Sequence, residues 1–277
     1  MNTARGHLPP VLYVTYTVPW NPRYGGALRC YGVIRGLAER SDLHVAFAGS
    51  DPGVVEAFLT WPCPRNVTRH ALSPDASCKQ EDDSHASRSV RAVLGRGKYH
   101  AALQQLGQVL QPDIVWYFEV EALRRTALLR HIPGVLDHVD VRWRKQMRLA
   151  RLETGARRGI ALLKAALLRI DDVQLAVRLR QSLVASPEEV SLLWPSRSVS
   201  VLPNGFDFPA TAPPGPSDSQ RLLFYGSLFY RPNADGVRWL CQEVWPLILA
   251  RRPDSQLDVA GPLPLSFAAL PLAFLIS

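Results

Sequence analysis

The sequence predicts a two-part α/β protein: a doubly wound parallel sheet, then a second and shorter α/β piece. Two observations carry this. Short apolar runs rich in β-branched and aromatic residues alternate with segments of helical period from residue 10 to residue 260, the pattern of repeated βαβ units. The turn Pro203-Asn204-Gly205, followed by a Pro/Gly/Ser-rich stretch at 209–219, then closes one alternation before another begins. Domains are therefore expected at residues 1–207 and 220–277, joined by a linker at 208–219.

The totals narrow the class. A chain of 277 residues accommodates one large domain or two ordinary ones, and 47% hydrophobic with 20% charged residues is the balance of a soluble globular protein. A net charge of +8 requires a basic face suited to phosphate groups, anionic lipid or nucleic acid. Cys30, Cys63, Cys78 and Cys241 form no C-x-x-C pair and have no His at ligand spacing, so neither a metal site nor a disulfide framework is expected. The apolar run at 11–18 is too short to span a membrane, and no signal-peptide pattern precedes it. The expectation is a cytoplasmic protein.

In order, residues 10–16 (PVLYVTY) read as a buried first strand. The loop TVPWNPRYGG leads to a helix at 27–40 with Leu28, Tyr31, Ile34, Leu37 and Ala38 on one side. A strand, the pair Gly25-Gly26 and a helix is an arrangement that points N–H groups at an anion, with Arg23 and Arg29 nearby. Equally, the two glycines permit a tight turn. Residues 43–48 make a second strand and 52–59 a short helix. The stretch 61–85 reads as an irregular connection with an exposed acidic tip at Glu81-Asp82-Asp83, and 89–110 as a helix broken near Gly95 and Gly97.

Residues 114–118 (IVWYF) are strongly strand-like, with Glu119 and Glu121 directly after them. Either carboxylate could face a ligand at the strand's C-terminal end, or both could open the next helix at its positive pole. Residues 135–140 (VLDHVD) form another short strand running into Asp137, His138 and Asp140. These suit a base or sugar-hydroxyl acceptors, while Asp140 also suits a helix N-cap. Residues 142–169 read as one basic amphipathic helix, with Glu153 its single counter-charge. Such a helix lies on an anionic membrane surface or forms a solvated face. Nucleic acid is not expected, since no nucleic-acid motif accompanies the charge.

A strand at 182–185 precedes Ser186-Pro187-Glu188-Glu189, a capping box. The sixth strand, 198–202, ends at the Pro-Asn-Gly turn, where Asn and Gly accept φ > 0. Beyond the linker come a strand at 221–225, Gly226-Ser227, a helix at 233–251 and a strand at 255–260 ending on Gly261.

With these segments in view, the chain resembles the retaining nucleotide-sugar glycosyltransferases of the GT-B fold, in the family-four group. The matching segments are Tyr24-Gly25-Gly26 before the first helix, VLDHVD, LVASPEE, VLPNGFD, LFYGSLFYRPN and the strand ending on Gly261. The D-x-x-D segment followed by Trp143 looks closest to sugar transferases associated with exopolysaccharide or exosortase systems. The resemblance implies two Rossmann-like domains, the second incomplete here, and sugar transfer from a nucleoside-diphosphate-sugar to a lipid-linked or polysaccharide acceptor, with no further cofactor. It implies that Asp137, His138 and Asp140 are the catalytic, acceptor-side residues. Gly25, Gly26, Asn204, Gly205, Gly226, Ser227 and Arg231 would serve the donor phosphates. The basic segment 142–169 would hold the protein at the inner membrane face.

One departure is plain. In the family a Gly-rich loop and an E-x7-E pair follow the last strand, and here no Glu follows Glu243. The sequence therefore leads us to expect a truncated transferase with impaired turnover, and apolar surface left open on Trp239, Trp245 and the tail. Its alternative is a non-catalytic accessory protein that binds a glycan or a membrane. A generic nucleotide-binding enzyme such as an epimerase lacks support, because no G-x-G-x-x-G follows the first strand.

Overall fold

A seven-stranded parallel sheet forms the first of two compact units, residues 1–206 and 207–277. The computed structural model describes residues 8–19, 25–75, 97–205, 211 and 220–262. In the first unit the chain runs β1 (Pro10–Thr15), α1 (Gly25–Ala38), β2 (Asp42–Phe47), α2 (Pro52–Thr60), β3 (Val67–Ala71), α3 (His100–Leu110), β4 (Ile114–Phe118), α4 (Glu119–Thr126) and β5 (Gly134–Asp137). It continues through α5 (Arg142–Ala150), α6 (Gly155–Arg178), β6 (Gln181–Val184), the single turn α7 (Pro187–Val190) and β7 (Val199–Val201). The sheet order is β3-β2-β1-β4-β5-β6-β7. Every pairing is parallel.

The near-continuous apolar strands follow from burial on both faces. Alternate residues of β1 go to opposite sides. Leu12 and Val14 join Leu103, Tyr117 and Leu123 in one core, while Val11 and Tyr13 join Ile34, Phe47 and Phe58 in the other. The sheet is thus doubly wound, as the sequence predicts. Its strand order reverses between β1 and β4, so the chain leaves those two neighbouring strands in opposite directions.

Several expectations need correction. There is a seventh strand, β3, inside the stretch read as irregular. It is an edge strand in which only Val67 is buried, so its sequence VTRHA lacks an apolar run. The basic segment is two helices, interrupted at 151–154 before Gly155 at φ 55°. Val141, not Asp140, is the N-cap of α5. Ser186 occupies an N-cap position, but its side chain makes no capping bond; the Glu189 N–H reaches the Ser186 carbonyl at 3.1 Å instead. Neither Asn204 nor Gly205 takes a left-handed φ. The expected acidic tip at 81–83, and the part of the helix expected before residue 97, lie outside the described residues.

In the second unit β8 (Arg221–Tyr225) pairs in parallel with β9 (Gln256–Ala260). The intervening helix is α8 (Arg231–Trp239), a π turn (Leu240–Val244) and α9 (Trp245–Arg251). Pro246, which has no N–H to donate, explains the change of pitch just before it. Val237, Trp245, Leu257 and Val259 make the core. Trp245 is therefore buried, against expectation, while Trp239 is exposed as expected, together with Leu223 and Tyr225.

Candidate active site

The C-terminal edge of the first sheet gathers the chemistry. Asp137 closes β5 and is fully buried. Arg29, one turn into α1 and 4% exposed, approaches it in a bidentate fork, with Nε 2.8 Å from Oδ2 and Nη2 2.9 Å from Oδ1. The remaining arm of Arg29, Nη1, donates to the Leu202 carbonyl at 2.6 Å and to Asn204 Oδ1 at 3.0 Å. One guanidinium therefore ties α1, the end of β5 and the Pro-Asn-Gly segment together. Burial raises the Asp137 carboxyl, and the ion pair with Arg29 opposes that rise.

Beside Asp137 the backbone departs from ordinary geometry. Val139, a β-branched residue, sits at φ 58°, with the Asp140 N–H bonded back to the His138 carbonyl and its own N–H 3.2 Å from Asp137 Oδ1. At the end of the neighbouring strand β4, Glu119 has φ 63°. Such conformations cost roughly 1–3 kcal/mol each and cluster at functional sites. The Tyr16 hydroxyl, just past β1, donates to the Glu119 carboxylate. That bond bridges the ends of β1 and β4, at the point where the strand order reverses and where open α/β sheets bind ligands. Burial holds the Glu119 carboxyl above the usual range, with Asp137 and Asp140 adding to the rise and Tyr16 opposing it. Arg125 stacks over the Tyr16 ring at 4.9 Å and pairs with Glu121 at 3.0 Å.

The three expected catalytic residues part company here. Asp137 is buried and engaged. His138 is buried too, with Nε2 3.3 Å from Ser182 Oγ and Nδ1 without a hydrogen-bond partner among the described residues. Burial, reinforced by the Arg142 charge, holds it down at about 3, so it is neutral. Asp140 alone is exposed, 3.9 Å from Lys145.

Gly25 and Gly26 open α1. A Cβ on Gly25 would meet nothing within 4 Å, so packing does not demand glycine there. Arg23 lies outside the described residues. Asn204 is committed to Arg29, and Gly205 is exposed and uncrowded. In the second unit Gly226 and Ser227 follow β8. Asn233 donates to the Ser227 carbonyl at 3.1 Å, and the exposed Arg231 opens α8, 3.5 Å from Asp235. Gly261, at φ 134° past β9, packs directly on the Gly226 backbone.

The sequence offers Arg29 only as charge near the Gly25-Gly26 pair, and Glu119 either as a ligand-facing carboxylate or as the start of a helix, which it is. Helix periodicity reveals neither role: Arg29 falls among the buried residues of α1, and a buried arginine in a helix calls for a carboxylate partner. The thiol of Cys30, pushed up to about 12 by burial, takes no part in such chemistry.

No protein-family model matches this sequence, and no curated protein matches it. Solved structures do. One is WaaG, a glycosyltransferase involved in lipopolysaccharide biosynthesis, with TM-score 0.52 and 17% identity over 93% of this chain and 65% of that one. Another is the glycotransferase of kitacinnamycin, with TM-score 0.50 and 14% identity over 98% of this chain and 70% of that one. The fold is that of GT-B glycosyltransferases. The chain spans about two thirds of the length of these two structures.

Proposed function

We propose that this chain is a retaining glycosyltransferase of the family-four type, moving a sugar from a nucleoside-diphosphate-sugar to a lipid-linked or polysaccharide acceptor at the cytoplasmic face of a membrane. The observation that carries the reading is the built edge of the first sheet. At the strand-order reversal of a GT-B fold, Glu119 is held by Tyr16 on strained backbone, and at the end of the next strand Asp137 is held by Arg29 beside the strained Val139.

In this reading residues 1–207 are the acceptor domain, 208–219 the linker and 220–277 part of the donor domain. Glu119 and the exposed Asp140 accept hydrogen bonds from acceptor hydroxyls. Asp137 and Asn204, both gripped by Arg29, keep that edge in shape, and the buried, neutral His138 ties it to Ser182 of β6. Gly25 and Gly26, which open α1, offer their N–H groups to an anionic group. Gly226, Ser227 and the first turn of α8 with Arg231 suit a diphosphate, whose departure is helped by N–H groups and a cation.

Thermal-shift titration with a panel of nucleoside diphosphates tests the donor half. A saturable rise in Tm for one base supports the reading, and its absence across the panel at millimolar concentration sinks it. Donor turnover with and without acceptor tests the rest. A second reading, a non-catalytic glycan- or membrane-binding protein, is favoured by the exposed apolar face of α6. Membrane or glycan binding without donor hydrolysis selects it.

A further inference from the structure

Strands β2 and β3 close the first sheet on one side. Their register sets His44 opposite Thr68 and Ala46 opposite His70. The two histidines therefore lie diagonally across the pair, on the face that Ala46 shares with Leu12 and Val14. Their rings are partly stacked, with centroids 5.2 Å apart, and His44 Nδ1 stands 3.0 Å from His70 Nε2. Asp42, two residues before His44 and on the same face, places Oδ2 3.6 Å from the other ring nitrogen of His44, Nε2. The His44 side chain is 13% exposed and that of Asp42 54%.

Two neutral imidazoles this close can share one N–H···N hydrogen bond. The same geometry is also close to a chelate. A carboxylate beside Nε2 favours the His44 tautomer that carries its proton there, which leaves the Nδ1 lone pair toward His70. Carboxylate, then imidazole, then metal is the order in which histidine ligands are ordinarily oriented. At metal–nitrogen distances of about 2.0–2.1 Å, two ligands of a tetrahedral ion stand about 3.3 Å apart, near the 3.0 Å between these nitrogens. Imidazole donors suit zinc, nickel and copper, whereas magnesium and calcium take oxygen.

We propose that His44 Nδ1 and His70 Nε2 chelate one divalent transition-metal ion of the zinc, nickel or copper type, with Asp42 orienting His44 from behind. Among the described residues no third His, Cys, Asp or Glu joins them as a ligand, so water fills the remaining positions. The ion fastens β3, an edge strand with only Val67 buried, onto β2. Cysteine spacing gives no hint of such a site. Its two ligands are 26 residues apart in the chain and meet only through strand register. The site belongs to the first unit and does not rest on sugar transfer.

The test is titration of the full chain with zinc, nickel and copper(II) chlorides, each separately at neutral pH, read by calorimetry and by Tm. At least one ion should bind with single-site stoichiometry and raise Tm as it saturates. His44→Gln and His70→Gln should each weaken that binding about a hundredfold, because one arm of the chelate is gone. His131→Gln, at an exposed position, should leave it unchanged. The bound ion should also slow amide hydrogen exchange in β3 by about tenfold or more. Wild-type chain that binds none of the three ions overturns the proposal and leaves a hydrogen bond between neutral rings. Binding that survives either histidine substitution overturns it as well. If the histidine variants do not fold, Asp42→Asn decides: it alters a half-exposed side chain, and affinity should fall about tenfold. Unchanged affinity in that variant overturns the proposal.

Discussion

Arg29 and Asp137, 108 residues apart in the chain, form a buried bidentate ion pair with Nε–Oδ2 at 2.8 Å, and every arm of the guanidinium has a partner. An isolated charge in that position would carry the full cost of its desolvation. The pair therefore locks the start of α1 onto the end of β5 and onto the segment that leaves β7.

Removing one partner leaves the other charge buried and uncompensated. Arg29→Ala or Asp137→Ala should cost about 3–5 kcal/mol of unfolding free energy, measured by urea denaturation. The double variant Arg29→Met/Asp137→Leu should recover much of that loss, because it buries no charge. Single variants as stable as wild type would show that the pair is not buried in solution.

His138 makes a pH prediction with a definite sign. Its folded value is about 3, against roughly 6.5 in the unfolded chain, so between those values the unfolded state binds the extra proton. Its contribution to stability is complete above about pH 6.5 and is lost as pH falls toward 3, at up to about 1.4 kcal/mol per pH unit. Stability curves of wild type and His138→Gln should converge as pH falls through this window. Parallel curves would mean the imidazole is solvated.

Gln111 ends α3 in the left-handed region, at φ 45° and ψ 55°, on the exposed surface. Only glycine adopts this conformation without a Cβ penalty. Gln111→Gly should therefore stabilise the protein by about 1 kcal/mol, seen as a higher Tm. A lower Tm would contradict that cap geometry.

Two glycines separate function from packing. A Cβ on Gly25 meets open space, so Gly25→Ala should leave Tm unchanged. Any loss of ligand binding in that variant is then a property of the site. Gly261, at φ 134°, has the Gly226 carbonyl where a Cβ would go. Gly261→Ala should destabilise the second unit by more than about 2 kcal/mol, detectable by hydrogen exchange in β8 and β9. Equal effects of the two substitutions would defeat the distinction.

Much of the first unit was legible in its sequence, because a strand buried on both faces leaves a run such as PVLYVT or IVWYF that no surface segment has reason to carry. β3 escaped for the opposite reason: at the sheet's edge VTRHA is mostly half-buried or exposed and needs no such run. Asp137, His138 and Asp140 were legible as a cluster, but their division of labour was not. Adjacent residues past a strand point in different directions, and here one meets an arginine, one Ser182 of the neighbouring strand β6 and one the solvent.

What the sequence by itself determined is the α/β alternation, the break near Pro203 and the surplus of positive charge, all properties of local composition and period. The tertiary structure alone decided the strand order, and with it the meeting of Tyr16 with Glu119 and of Arg29 with Asp137. It also decided which face of α6 turns outward. Periodicity records that a helix has an apolar face, but only packing determines whether that face meets the core. In α6 the core took the alanines and left the leucines to the outside.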